Sequence, residues 1–237
     1  MNARRFASAV LLAAVAPVAM AGGHLQVGST RVELPPGARA SRLVLRNSGD
    51  APVGAQVRVY AWSQPEGEDR LDETHAVVLS PPIVRIAPGQ EQVVRIVRQG
   101  SAPTGRDATY RVVAEEVPLT PQDATVAVGF RMRFVLPLFD RAADATPAQL
   151  SCRVSADTLT CVNTGGRACK LGATRLVDAA GHAVELSNGL FGYVLPRSTR
   201  RWTLSADRLK GLGNGLRLKT KIDNASDREI PVERAAP

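Results

Sequence analysis

Val126-Ala-Val-Gly-Phe-Arg-Met-Arg-Phe-Val-Leu-Pro137 separates into two rows when read at period two. One row carries Val126, Val128, Phe130, Met132, Phe134 and Leu136; the other carries Ala127, Gly129, Arg131, Arg133 and Val135. Successive side chains of a strand point to opposite faces of the pleat, so this alternation marks a half-buried β-strand. Two uses of the apolar row fit the pattern: an ordinary core strand, or a strand whose row is offered to another protein. Arg131 and Arg133 share the opposite face, where solvation or inter-strand pairing suits them.

Upstream, the chain reads as strand, turn, strand. His24 to Leu34 forms an extended opening strand closed by Pro35-Pro36-Gly37, and Ala40 to Asn47 alternates until Asn47-Ser-Gly-Asp50 stops it. Val53 to Trp62 follows, then a polar loop over Gln64 to Glu73. Short strands come at Val77–Leu79 and Ile83–Ile86, separated by Ser80-Pro-Pro82; proline cannot donate to a ladder, so this pair belongs at a strand switch or an edge. Gln92 to Arg98, Tyr110 to Val117 and Val126 to Phe139 complete the set. Adjacent strand residues face opposite ways, so Glu115 and Glu116 do not form an acid–base pair. Closely spaced glycine, proline and asparagine clusters, with no long helical period, predict an antiparallel immunoglobulin-like β-sandwich over 22–141.

Residues 142–148 are a small-residue linker, and 149–237 carry a second, more irregular β domain. Its strands are a hairpin over Gln149–Asn163, then Ala173–Val177, His182–Glu185, Gly189–Val194, Arg197–Leu204 and, as the last, Gly215–Asp223. Gly211-Leu-Gly-Asn-Gly215 lacks the strand-before, helix-after context of a phosphate loop and reads as a turn. The fold class expected is all-β, two immunoglobulin-like sandwiches with few helices.

The first residues are of another kind. Arg4 and Arg5 precede a short apolar run from Phe6 to Val18, and Ala19-Met20-Ala21 forms a small-residue cleavage site. This is a secretory signal, too short for a membrane anchor, with cleavage expected after Ala21. Cleavage lowers the formal charge of +8 by two and leaves an exported, soluble, basic protein with no membrane insertion. An oxidising compartment permits a disulfide. Cys152, Cys161 and Cys169 are the three cysteines, so one thiol is left over. Cys152 pairs with Cys161 across a turn at Ala156-Asp157, or Cys161 pairs with Cys169. The cysteines lack zinc-site spacing, and His24, His75 and His182 are scattered, so no metal or other cofactor is expected. No convergent catalytic constellation is present, and an aromatic content of 4% is too low to interleave with basic residues for nucleic acid. The basic groups Arg197, Arg200, Arg201, Lys219 and Lys221 read first as a solvated face and second as a surface for an acidic partner.

Four segments carry a resemblance. Ser80-Pro-Pro-Ile-Val-Arg-Ile-Ala-Pro-Gly-Gln-Glu-Gln-Val-Val-Arg-Ile-Val-Arg98 and, further on, Thr109-Tyr-Arg-Val-Val-Ala-Glu-Glu-Val-Pro118 are the longest. With Gly28–Leu34 before them and Phe130–Arg141 after, they resemble the PapD-like periplasmic pilus-assembly chaperones. The ending Leu136-Pro-Leu-Phe139 is most similar to the archaic, spore-coat-type branch. The resemblance implies a boomerang of two domains and no enzymatic activity. Its partners would be pilus or fimbrial subunits, held by donor-strand complementation, and an outer-membrane usher. Val126, Val128, Phe130, Met132 and Phe134 would be the donor row, Phe134 and Leu136 lying nearer the chain's own core. It further implies an anchor for the subunit's C-terminal carboxylate, Arg31 matching one basic residue of the family's clamp. The second, a lysine late in the donor strand, is replaced by Pro137, and Arg111 is the candidate to take its part. Pro118, Pro121 and the polar run Thr120–Thr125 imply a mobile segment when no subunit is bound, and self-capping as a homodimer is a further option for the unbound protein. A rival reading, an exported pilus subunit or adhesin, calls for an N-terminal donor extension, for which Ala21 to Gln26 is too short.

Overall fold

The computed structural model describes residues 24–119 and 131–234. The signal segment, the polar run Thr120–Thr125 and the donor residues Val126, Val128 and Phe130 lie outside them.

The first half packs two sheets around one core. Strands β1 (Leu25–Val27), β3 (Ala40–Asn47), β8 (Glu91–Arg98) and β6 (Val77–Ser80) form one sheet in the order β1-β3-β8-β6. The other runs β2 (Val32–Leu34), β10 (Arg133–Asp140), β9 (Ala108–Val117), β4 (Val53–Ser63), β5 (Arg70–Glu73), with β7 (Ile83–Ile86) also paired to β4. Alternation builds the core: Leu43 and Leu45, Val94 and Ile96, Val112 and Ala114, and Leu136 and Leu138 all point inward and are buried.

The expected opening strand is in fact two. At Gly28 the backbone comes so close to β3 that an added Cβ would lie 3.2 Å from Val44 Cβ, and the Gly28 N–H donates to Val44 O. The chain then bends through Ser29 and Thr30, leaves the first sheet and pairs in parallel with β10, Val32 opposite Leu138. The inward row moves from odd residues (Leu25, Val27) to even ones (Val32, Leu34) across this bend, a shift that one continuous period-two strand does not contain. Pro81 and Pro82 make the second such switch, between β6 in one sheet and β7 in the other. The polar loop before β6 also holds a strand, β5; all four of its residues are exposed, so no apolar row announced it.

In the second half one seven-stranded sheet has the order β14-β13-β16-β17-β11-β12-β15. The hairpin of β11 (Leu150–Ser155) and β12 (Thr158–Asn163) lies where the sequence placed it. β13 (Cys169–Val177) starts earlier than expected, and the two strands expected over 182–194 are one bulged strand, β14 (Ala183–Val194). After β15 (Ser198–Thr203), a four-residue helix α1 (Ala206–Leu209) and β16 (Arg217–Ile222) comes a further strand, β17 (Asp227–Arg234). Gly215–Asp223 is therefore not the last. In β17 only Ile230 and Val232 are buried, and Pro231 between them hid the alternation. The ends of the sheet meet where Phe191 of β14 stacks on Trp202 of β15, ring centroids 4.6 Å apart. Gly192 allows it: a Cβ there would lie 3.1 Å from the indole.

Cys152 and Cys161 are partners across β11 and β12 and are disulfide-bonded. Cys169 is the free thiol; it is buried, and that burial pushes its pKa up to about 12, which leaves it protonated and inert.

Residues from both halves lock the elbow. Trp62, Phe139, Ala168, Tyr193 and Leu195 form a third buried cluster. Gln64 spans the joint, its amide donating to Tyr193 O at 2.8 Å and accepting from Leu195 N at 2.9 Å. Arg200 donates to Gly67 O at 2.6 Å and pairs with Glu68 at 2.7 Å, while Arg201 packs on Gly67, where a Cβ would lie 2.6 Å from its Cγ. Arg197 reaches Gly105 O at 3.4 Å. Arg200 is thus a tether between the halves, while Arg197 and Arg201 touch the first half and stay exposed, as a solvated face would; Lys219 pairs with Glu229 at 2.6 Å.

At the end of β10, Asp140 accepts from Arg98 Nε at 2.6 Å and Nη2 at 3.1 Å, with both side chains buried. A buried charge deprived of its partner keeps its desolvation cost without compensation. Asp140→Ala should therefore lose about 3–5 kcal/mol in urea unfolding, whereas Arg98→Met with Asp140→Leu should recover most of it. A loss below about 1 kcal/mol for the single variant would contradict this account.

Candidate functional site

β10 is unequally partnered on its two flanks. β9 pairs with it along its whole length, from Arg133 opposite Glu115 to Asp140 opposite Ala108. β2 reaches it only from Leu138 onward. Among the described residues, the flank of Arg133–Leu136 therefore has no strand beside it. Hydrogen-bond parity says which groups face that gap. Met132 O accepts from Glu116 N at 2.9 Å, so the even-numbered residues bond to β9. Arg141 N donates to Leu34 O at 2.9 Å, so the odd-numbered ones face the other way. Arg133 and Val135 thus turn both N–H and C=O to the open flank, whereas the Pro137 C=O lies at the level of Val32, where β2 begins.

The side chains sort as the alternation requires. Leu136 is buried and Phe134 packs at the rim of the first core, while Met132 is 42% exposed just beyond it. Val135, on the outer face, is 45% exposed. Arg133 pairs with Glu115 at 3.7 Å, and Glu115 also holds Arg58. Glu116 turns away and accepts from Leu25 N at 2.8 Å, so the two glutamates serve different neighbours.

Where the open flank ends, the two halves enclose a cleft of about 350 Å³. Arg31, Arg111, Phe134, Val135 and Pro137 line it from the first half, and Lys170, Leu190, Tyr193 and Asn224 from the second. The structure thus brings Arg31 and Arg111 to one place, with Pro137 beside them, opposite Arg111 in the β9–β10 register. Arg31 is not on a strand: it sits between the Gly28 bend and β2, over the Phe139 ring at 4.8 Å. Its Nη1 is 3.3 Å from Asp223, and its Nε is 2.8 Å from Glu33 without an aligned hydrogen bond. Glu33 also binds Arg141 at 2.5 Å, and Arg141 pairs with buried Asp107. Burial raises the Glu33 pKa, but Arg141 and Arg31 outweigh it, so the net shift is downward.

Arg111 is held by rings instead. Its guanidinium lies 3.6 Å from the centroid of Trp62 and 5.4 Å from that of Tyr193. Trp62 is fixed in turn by its Nε1–H, which donates to Asp69 at 2.9 Å. Burial lowers the Arg111 pKa, opposed by Asp69 and Tyr193; the group stays a cation, since arginine starts far above neutrality. A ring face leaves guanidinium N–H donors free for a planar acceptor, and two such forks converging on one cleft suit a carboxylate. Sequence reasoning missed Trp62, Lys170, Tyr193 and Asn224. No local signal marks them, because only the folded elbow brings them beside β10. Among the described residues there is no cluster of His, Cys, Asp and Glu fit for a metal, and no helix is long and apolar enough to cross a membrane.

Residues 24–145 match the pili and flagellar-assembly chaperone family, PapD N-terminal domain. The chain belongs to the PapD-like family of pilus-assembly chaperones. These are chaperones, not enzymes. The chaperone protein FimB/FhaD of Bordetella pertussis is 31% identical over 142 residues, which cover 56% of this chain; the chain spans 56%, about half, of that relative's length. Solved structures share the fold. A chain of the CsuC–CsuE chaperone–tip adhesion subunit complex of Acinetobacter baumannii superposes with a TM-score of 0.68 at 20% identity, covering 90% of this chain and 100% of its own. The E. coli chaperone DraB gives 0.63 at 21% identity, covering 90% of this chain and 98% of its own. A chain of the SafA pilin–SafB chaperone complex of Salmonella enterica gives 0.63 at 18%, covering 88% and 95%.

A carboxyl whose folded pKa lies below its unfolded value stabilises above the unfolded value, and that contribution is lost as pH falls through the folded one. Replacing Glu33 in this chaperone by Gln should therefore lower stability near neutral pH, with the gap to wild type closing as the solution is acidified. Denaturation midpoints across the acid range check it; a gap that widens toward low pH would contradict the shift.

Proposed function

We propose that this chain is a periplasmic chaperone that holds pilus or fimbrial subunits by donor-strand complementation and passes them to an outer-membrane usher. The observation that carries the reading is the half-open flank of β10, with main-chain donors and acceptors of Arg133 and Val135 turned to it and an exposed Met132 leading into it. A subunit lacking one strand has the complementary need: its groove exposes apolar surface and unpaired edges, which aggregate. An added strand satisfies the main chain on both sides, while alternate side chains fill pockets. Val126, Val128, Phe130 and Met132 are the donors, with Phe134 at the seam between subunit and chaperone cores. Each would contribute roughly 1.5–3 kcal/mol by burial before the costs of association. The subunit's C-terminal carboxylate docks in the cleft against Arg31 and Arg111.

Family membership supports this reading, as do the CsuC–CsuE and SafA–SafB complexes, in which relatives of the same fold were captured with a tip adhesion subunit and a pilin. Export follows the leader, cut after Ala21, and leaves working domains over 22–141 and 149–237 joined by 142–148. The strand ending Leu136-Pro-Leu-Phe139 supports membership of the archaic branch.

Phe130→Asp combined with Met132→Asp should leave the fold intact and cut recovery of a co-exported subunit by about tenfold or more in a periplasmic pull-down, since two charges must enter an apolar groove. Unchanged recovery would remove the donor role. Arg31→Ala should lower the yield of complex while the melting temperature of the free protein falls only slightly; normal yield would take Arg31 out of the anchor.

A further inference from the structure

The charges around the cleft do not add up as a two-arginine clamp requires. Arg31 belongs to a cluster with Arg141, Glu33, Asp107 and Asp223, in which every member is ion-paired. Two arginines against three carboxylates leave that cluster one negative charge, so Arg31 supplies hydrogen-bond donors to an incoming anion without a surplus of positive potential. Arg133 is likewise engaged by Glu115. Two cations of the cleft make no ion pair among the described residues: Arg111, which faces rings, and Lys170, whose Nζ donates to the neutral Asn224 amide at 2.9 Å. Lys170 stands at the start of β13, in register with Tyr193 of β14. Its strand position is fixed by the second half, and it lines the same cleft as Pro137, in which the β10 cation, Arg133, is already engaged by Glu115.

We propose that Lys170, together with Arg111, gives the cleft its net positive charge and that Lys170 binds the carboxylate of the occupant from the second half. This rests on the carboxylate-docking reading above and deepens it: the anchor spans both halves, so the locked elbow becomes part of the binding site. Asn224 holds the ammonium in place through its side-chain oxygen, and an incoming carboxylate becomes an additional acceptor for the remaining N–H groups of Lys170. A compact ammonium suits this part because it needs no planar fork and reorients on its stem.

The probe is a synthetic peptide alternating valine with threonine, prepared as the C-terminal free acid and as the C-terminal amide. Binding of each to the full mature chain is measured at low salt, where charge interactions are least screened. Wild type should prefer the acid by about tenfold or more, the scale of one charge-assisted contact. Lys170→Met should lose most of that preference with amide binding and melting temperature unchanged, and Lys170→Arg should retain it. Preference kept in Lys170→Met but lost in Arg111→Ala would overturn the role of Lys170 and leave the carboxylate reading standing. No acid–amide difference in wild type would overturn the carboxylate reading, and this inference with it.

Discussion

A sheet edge that, among the described residues, is left unpaired for half its length is the constraint on which the rest of this structure depends. β2 covers β10 from Leu138 onward and stops, because the opening segment spends Leu25–Val27 in the other sheet before it crosses at Gly28. Had it followed β10 from the start, Arg133 and Val135 would have their hydrogen bonds within the chain. The gap is thus produced by a sheet switch, and the same switch delivers Arg31 to the cleft at its end. An open edge is ordinarily a route to aggregation, blunted by charges, prolines or short length. Here Arg133 and Pro137 flank the gap, and Pro137 closes it where no further N–H is available.

The flank is useful only if the groups at its end stay in register with it. Trp62, Phe139 and Tyr193 bind the halves through buried rings, with Trp62 and Tyr193 edge to face at 5.4 Å. The rings that seal the joint are also those on which Arg31 and Arg111 lie. Arg200 and Gln64 add polar ties across the same joint. Fold stability and the proposed anion recognition therefore share side chains, and loosening the elbow would move both arginines and Lys170 relative to β10.

Much of this was legible in the chain. Alternation located nearly all first-half strands, because their inward rows are Leu, Val and Ile set against Arg, Gln and Glu, as in Ala40–Asn47 and Gln92–Arg98. It failed where burial does not alternate. β5 is exposed throughout, β17 hides its rhythm behind Pro231, and His24–Leu34 shifts its inward row from odd to even residues as it changes sheet. Arg31 and Arg111 were found through motif resemblance and do share a cleft. Lys170 and Tyr193 were not, since nothing local distinguishes a lysine and a tyrosine in a second-half strand from surface and core residues of any sandwich. The tie made by Arg200 was hidden for the same reason: its acceptors, Gly67 O and Glu68, lie far away in sequence.

The most direct test is residue-resolved amide hydrogen exchange by NMR on the mature protein, alone and with a bound pilus subunit. In the free protein the amides of Phe134 and Leu136, which face β9, should exchange slowly, and those of Arg133 and Val135, which face the gap, should exchange fast. Binding should protect Arg133 and Val135 and leave the other two as they were. Slow exchange of Arg133 and Val135 in the free monomer, or no gain in protection when the subunit binds, would contradict the account.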